Sequence, residues 1–354
     1  MSGPAELRPP VEAAGRNAAQ PPRRYVVPRS GVSDIIVEAM RTLTSNLLTL
    51  AGFVISVILV VTAILVEVLP PITHALFGHS WSILPYPPNT IGSAISQPPS
   101  AQHWFGTDEL GRDVLSRVVA ALPLDLTIGI VITGLSIFIG AGLGLIAGFW
   151  EEGRVGRSVS AVILRITDIF LAFPTLVLAI ALTAIFGHSV DPLTAIVIAL
   201  TVTWWPYYVR IVRGEVLVIK HQGYIHAGRI AGLSEGRILI RHVLRNLLEP
   251  LTVYATLDVG TVIVTFSTVA FVIPLPVTII EWGTMVSNYE SLLPGDWWLV
   301  AAPGLAIFVT VLGLSLLGDG LRDVLDPRTR RAFAKRNESA AAPRPAAPTG
   351  EVTE

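Results

Sequence analysis

The chain has 354 residues, 52% of them hydrophobic and 14% charged, with a formal net charge of −1; so little charge and such long apolar runs exclude an ordinary soluble domain. It contains no cysteine, which excludes disulfides, thiolate metal sites and cysteine chemistry. The seven histidines are scattered, and pairs such as His74/His79 and His221/His226 lack helical i,i+4 spacing, so no metal site is expected.

Several segments approach or exceed the roughly 18 to 20 apolar residues that cross a hydrocarbon core as a helix. Lipid requires each span to satisfy its backbone groups internally, which predicts an all-α integral membrane protein with about six transmembrane helices. Residues 1-32 are rich in Pro, Ala and Arg without periodicity and read as a disordered tail, with no h-region and cleavage site of a signal peptide. Residues 33-122 are expected to hold the first membrane helix, from Leu47 to Val68 and stopped by Pro70 and Pro71, followed by a long outer loop containing HWFGTDELGRDVLSRV. Within that loop, Thr107 or Asp108 is expected to cap a short helix, with Arg112 available to pair with Asp108 or Asp113.

Residues 123-321 form the expected core domain. Its first span, Leu124 to Trp150, carries Gly140, Gly144 and Gly148, overlapping small-xxx-small pairs that admit a close neighbour. The third span, Val159 to Ile185, begins with Arg165 and Asp168, expected to pair, and is interrupted by Pro174. The fourth, Leu193 to Val212, carries Trp204, Trp205 and Pro206; the fifth runs from Leu251 to Ile273 and the sixth from Trp298 to Leu317. Pro174, Pro206 and Pro303 are expected to bend their spans. Asp258 lies about two turns into the fifth span, facing either a water-lined path or a partner helix. Residues 322-354 are a basic tail that turns Ala/Pro-rich.

Six spans place both termini on one side. The outer loops hold only Arg112 and Arg117 among the basic residues, so the positive-inside rule predicts that both termini, the turn from Glu151 to Asp168 and the segment 207-251 are cytoplasmic. That segment is an arginine-rich island between apolar runs, with Gly232 dividing two helix-like halves. Its periodicity makes Ile238, Val243 and Leu247 buried positions, Gly232 a helix C-cap and Ser234 an N-cap. A basic surface helix held on anionic lipid is the plain alternative.

HAGRIAGLSEGRILIRHVLRNLL resembles the Glu-Ala-Ala loop of ABC-importer permeases. Around it, WPYYVRIVRGEVL, GTDELGRDVLSR, DIFLAFP and LLGDGLRDVLDPR are similar to signatures of the C-type subunit of the dipeptide/oligopeptide family, in unbroken order from Leu47 to Arg331. The resemblance implies a type I importer permease fold in the cytoplasmic membrane of a prokaryote. It also implies that Tyr224, Ile225, His226, Ala227, Gly228, Arg229 and Gly232 form a coupling helix on a cytoplasmic ATPase. His226, Gly228 and Arg245 depart from the Glu, Ala and Pro usual at those positions. Gly106, Thr107, Asp108, Gly111, Arg112 and Asp113 become an outer element near the docking site of a substrate-binding protein. Apart from the resemblance, Asp258 is expected at a water-lined position on the translocation pathway, with Trp204 and Trp205 as further pathway candidates whose plainer reading is packing. Implied partners are a homologous second permease, two ATPase subunits or domains, the binding protein and the bilayer, with no nucleic acid.

No GxxxxGK[ST] loop exists in the chain, whose only lysines are Lys220 and Lys335, so no phosphate cradle is present. ATP and Mg²⁺ are therefore expected on partner subunits, the chain itself binding no cofactor and catalysing no reaction. Peptides are the expected cargo; nickel complexes, oligosaccharides, and a secondary proton-coupled transporter remain open alternatives.

Overall fold

The computed structural model describes residues 46–325; the tail 1–32 and the tail beyond 325 lie outside the described residues. Ten α-helices occur there: α1 (Leu47–Phe77), α2 (Val114–Phe149), α3 (Gly153–Leu171), α4 (Thr175–Phe186), α5 (Pro192–Lys220), α6 (Gly223–Ile230), α7 (Glu235–Ile238), α8 (Arg245–Val272), α9 (Trp282–Tyr289) and α10 (Trp297–Leu325). A π-helical turn, Leu239–Leu244, joins α7 to α8, so Glu235–Val272 is one continuous rod of 38 residues. Among the described residues the only extended pairing is an isolated bridge between Thr107 and Asp113.

Five helical segments are long and apolar enough to cross a membrane, and α3 with α4 make a sixth candidate bent by 92°. The bend at Ala172–Pro174 is far sharper than the kink expected from one proline. Pro174 has extended ψ and serves as N-cap of α4, so the chain leaves the helix instead of tilting within it. The pair still traverses the bundle: α3 starts beside Glu151, which bonds Lys220 at one end of α5, and α4 is followed directly by Pro192 at the other end.

Helix ends differ from the hydropathy boundaries. Pro70 and Pro71 do not stop α1; both lie inside it, and the left-handed Gly78 ends it at φ 75°. Thr73 shores up that stretch by donating its hydroxyl to the Leu69 carbonyl at 2.9 Å. α2 begins at Val114, ten residues before the apolar run, because Asp113 caps it by accepting the Ser116 N–H at 2.8 Å. The expected caps Thr107 and Asp108 instead bind loop backbone.

The core is built on α2 against α5. Gly140, Gly144 and Gly148 face Tyr208, Val212 and Val216 in turn, so close that a Cβ at Gly144 would lie 2.8 Å from Val212 Cβ. α1 and α10 run antiparallel, Gly52 beside Leu316 and Gly320 beside Thr49. Leu257 lies against Gly318, so the foot of α8 shares the end of the bundle where α10 finishes and α1 starts. The first and last described residues thus sit at the same end as Lys220, α6 and α7. Among the described residues only Arg112 and Arg117 supply Lys/Arg at the opposite end.

Candidate functional site

The basic island is less of a loop than its sequence predicts. Residues 207–220 complete α5 and residues 235–251 belong to the rod that continues as α8, leaving α6 as an eight-residue bracket between two spans. The reason is visible in α5, where Val209, Val212, Val216 and Ile219 are buried at helical spacing although arginines lower the local hydropathy. Ile225 is the one fully buried residue of α6, and Ile238, Val243 and Leu247 are buried as expected.

The C-terminus of α6 closes in a Schellman turn. Leu233 N–H donates to the Gly228 carbonyl and Gly232 N–H to that of Arg229, both at 3.0 Å, while Gly232 takes φ 80°. This bond pair satisfies carbonyls left over at a helix end. Gly228 occupies the position over which Leu233 packs: a Cβ there would stand 3.3 Å from Leu233 Cδ1. That gives a local reason for glycine at this position. Ser234 stands at the N-cap of α7 but makes no side-chain cap bond. The turn is pinned instead by Glu235, whose oxygens accept from Arg229 Nε at 2.9 Å and Nη2 at 3.2 Å; this bond raises the Arg229 pKa. His226, Ala227 and Gly232 face solvent, as do Tyr224 and Ile230, the latter 88% exposed. Arg245 simply continues the helix.

Asp258 faces a partner helix. Its Oδ2 accepts from Tyr208 Oη at 2.6 Å and Trp204 Nε1 at 3.3 Å, both on α5. Trp205 is not part of this node; it points the other way and meets Phe170 edge-on at 5.5 Å. Along α8, Tyr254, Asp258, Thr261, Thr265 and Thr268 recur at spacings of four and three on one partly exposed face. The threonine hydroxyls donate back to carbonyls four residues earlier, as Thr265 does to Thr261 at 2.9 Å.

At the opposite end, GTDELGRD folds into a turn in which Asp108 is fully buried. It accepts from the Arg112 N–H and Nε at 2.9 and 2.7 Å and from Tyr289 Oη at 2.8 Å. Burial, reinforced by Asp108, pushes the Tyr289 hydroxyl up to about 12. Gly106 and Gly111 adopt φ of 72° and 68°, and Gly111 backs directly onto Gly92. Thr107 is buried, and Asp113 accepts from His103 Nδ1 at 2.9 Å besides capping α2. Arg112 thus takes Asp108, not Asp113.

Three clusters fall outside the sequence expectations. Asp168 pairs with Arg210 at 2.7 Å and not with Arg165; α3 packs on α5, and Arg210 reaches it there. Glu151 accepts from Lys220 at 3.1 Å and Arg213 at 3.0 Å; burial opposes its ionisation, but the two cations outweigh this and lower its pKa. Glu281 caps α9 through the N–H groups of Gly283 and Thr284, and its burial raises its pKa. The partners of Asp168 and Glu151 lie 42, 62 and 69 residues away, beyond any local pattern, whereas Glu281 bonds N–H groups two and three residues on, and the spacing of Trp282, Met285 and Tyr289 betrays the buried face of α9.

A sequence profile described as "Binding-protein-dependent transport system inner membrane component" matches residues 140–331. The chain is 40% identical over 243 residues to the probable D,D-dipeptide transport system permease protein DdpC of Escherichia coli (strain K12), spanning 68% of this chain and 79% of that protein. It is 38% identical over 299 residues to the dipeptide transport system permease protein DppC of Alkalihalophilus pseudofirmus, spanning 83% and 90%. Against the oligopeptide transport system permease protein OppC of Bacillus subtilis (strain 168) the identity is 34% over 295 residues, again spanning 83% and 90%. With the described residues helical, five candidate spans and a sixth broken by a 92° bend, the chain belongs to the binding-protein-dependent transport system inner membrane component family, as a multi-pass permease of the bacterial inner membrane with the type I ABC-importer fold.

Proposed function

We propose that this chain is one of two membrane subunits of an ATP-driven importer of di- or oligopeptides, with α6 as the element on which a separate ATPase subunit acts. The positive-inside rule assigns the Lys220 end, and with it both termini, to the cytoplasm. The observation that carries the reading is the bracket itself. α6 joins two rods that run the depth of the bundle, is locked at its base by Ile225 and the Schellman turn, and presents Tyr224 and Ile230 outward. A displacement applied at Ile230 therefore has little slack in which to dissipate. ATP and Mg²⁺ act on the partner, whose closure supplies the free-energy difference between inward-open and outward-open states.

The pathway is assigned to the α8 face carrying Tyr254, Asp258, Thr261, Thr265 and Thr268, completed by a homologous permease. Hydroxyls and a carboxylate suit a water-lined or protein-covered surface far better than lipid. Trp205 is left out of the pathway; Trp204 contributes by holding Asp258. Peptide cargo rests on the dipeptide and oligopeptide relatives, and the outer GTDELGRD turn lies at the end where a substrate-binding protein delivers it. Uptake of a radiolabelled dipeptide into vesicles, with and without vanadate, tests the reading. Vanadate-sensitive uptake together with a co-purifying ATPase is expected, whereas uptake driven by a proton gradient and indifferent to vanadate would overturn it in favour of a secondary carrier.

A further inference from the structure

Between the end of α2, the start of α3 and the end of α5 lies an open cavity of about 510 Å³. Glu151, Arg157, Ser160, Arg213, Lys220 and His221 are among the residues that line it. Its acceptors are largely engaged. Glu151 is held by both Arg213 and Lys220, and Glu152, 76% exposed, reaches Lys220 only at 3.8 Å.

Its donors have capacity left. Arg157 enters no ion pair among the described residues, and Arg213 Nε is buried with no acceptor. His221 donates Nδ1–H to the Leu217 carbonyl at 2.7 Å, so its neutral ring adds no further donor. The cavity also meets the N-terminus of α3, where Gly153 lines it and Glu152 makes no side-chain cap bond, so first-turn N–H groups lack partners.

The helix that walls this cavity fixes its depth. Val155, Val159, Val162, Ile166 and Ile169, spaced by four and three residues, form an exposed apolar stripe on α3, while Arg157 and Ser160 turn toward the cavity. That stripe faces the bilayer, while the start of α3 carries the cavity at the Lys220 end of the bundle before the helix climbs to the level of Arg210. Basic pockets between membrane helices at that depth attract anionic headgroups.

We propose that this cavity binds a phosphate group, and that the phosphate is that of an anionic phospholipid drawn from the leaflet beside the start of α3. Bound there, the lipid links α3 to the base of α6, since His221 immediately precedes the bracket. The site is independent of what the permease transports.

Native mass spectrometry of the full-length chain in mild detergent, titrated with phosphatidylglycerol, phosphatidylcholine or inorganic phosphate, tests this. One phosphatidylglycerol per chain is expected to be retained at about five- to tenfold lower concentration than phosphatidylcholine, from the contribution of one unpaired arginine. Arg157→Gln should abolish that preference; Arg154→Gln, the same charge change outside the cavity, should leave it intact. Both arginines are exposed, so neither variant threatens the fold. Equal retention of the two lipids, or equal losses from the two variants, would overturn the site. Displacement of the lipid by low-millimolar inorganic phosphate would overturn the lipid as its source.

Discussion

Replacing Gly232 by alanine isolates the energetics of the α6 turn. Gly232 holds φ 80° and a Cβ there would meet nothing within 4 Å, so no packing term enters and only backbone conformation is penalised. The left-handed region costs an ordinary L-residue roughly 1–2 kcal/mol, and asparagine less. α6 is anchored by one fully buried side chain, so this cost should appear as local opening of the bracket, not global unfolding. A change of that size corresponds to about a 5–30-fold rise in the open fraction. Amide hydrogen exchange over residues 223–238 should therefore accelerate by that factor in Gly232→Ala, and by less in Gly232→Asn. Gly232→Pro also deletes the N–H bonded to the Arg229 carbonyl and should exceed both, with loss of ATPase coupling. Unchanged exchange in Gly232→Ala, or a fall in global melting temperature with no local effect, would refute the reasoning.

Other outcomes follow from the same geometry. Gly144→Ala places a Cβ 2.8 Å from Val212 Cβ and 2.9 Å from the Val209 carbonyl, and should cost about 1–3 kcal/mol in thermal unfolding. Gly142→Ala, with open space at its Cβ, should be neutral or stabilising by up to about 1 kcal/mol. Asp258→Leu strands the Tyr208 and Trp204 donors, for about 1–3 kcal/mol each, and should impair uptake; Asp258→Asn keeps an acceptor for both and should preserve the melting temperature. Because the Glu151 pKa is lowered in the folded state, its stabilisation is complete above the unfolded value near 4.3 and is lost as pH falls through the folded value. Melting curves of the wild type should therefore drop toward those of Glu151→Gln on acidification and separate from them above about pH 4.5.

The spans were legible because apolar length is an almost direct reading of what lipid demands, and the island turn because its left-handed backbone at position 232 favours glycine. Hydropathy misjudged the helix ends because a basic side chain can ride on a helix whose opposite face stays buried, as Arg210 and Arg213 do on α5. Prolines misled in both directions: Pro70 and Pro71 sit inside α1, whereas Pro174 ends α3 and starts α4 at 92°. What proline does depends on whether the chain after it has another helix to join at a different angle, and the local sequence does not say. The polar node of Asp258 was half legible, since a carboxylate in a span must find a partner, but its choice of Tyr208 depends on the crossing of α5 and α8.

The π-helical turn between α7 and α8 has a consequence for phase. A wide turn of this kind accommodates a residue beyond the α-helical repeat, and each residue of an α-helix turns the chain by about 100°. The azimuth at which α7, the first turn of the rod, presents Glu235 to Arg229 is thus offset from the azimuth of Asp258 by an amount that one residue controls. Deleting a single residue within Leu239–Leu244 should let the rod relax to a plain α-helix, intact and membrane-inserted, yet aim the bracket at the wrong side of the bundle. In this rod, the timing mark between the cytoplasmic handle and the polar face is set by residue count.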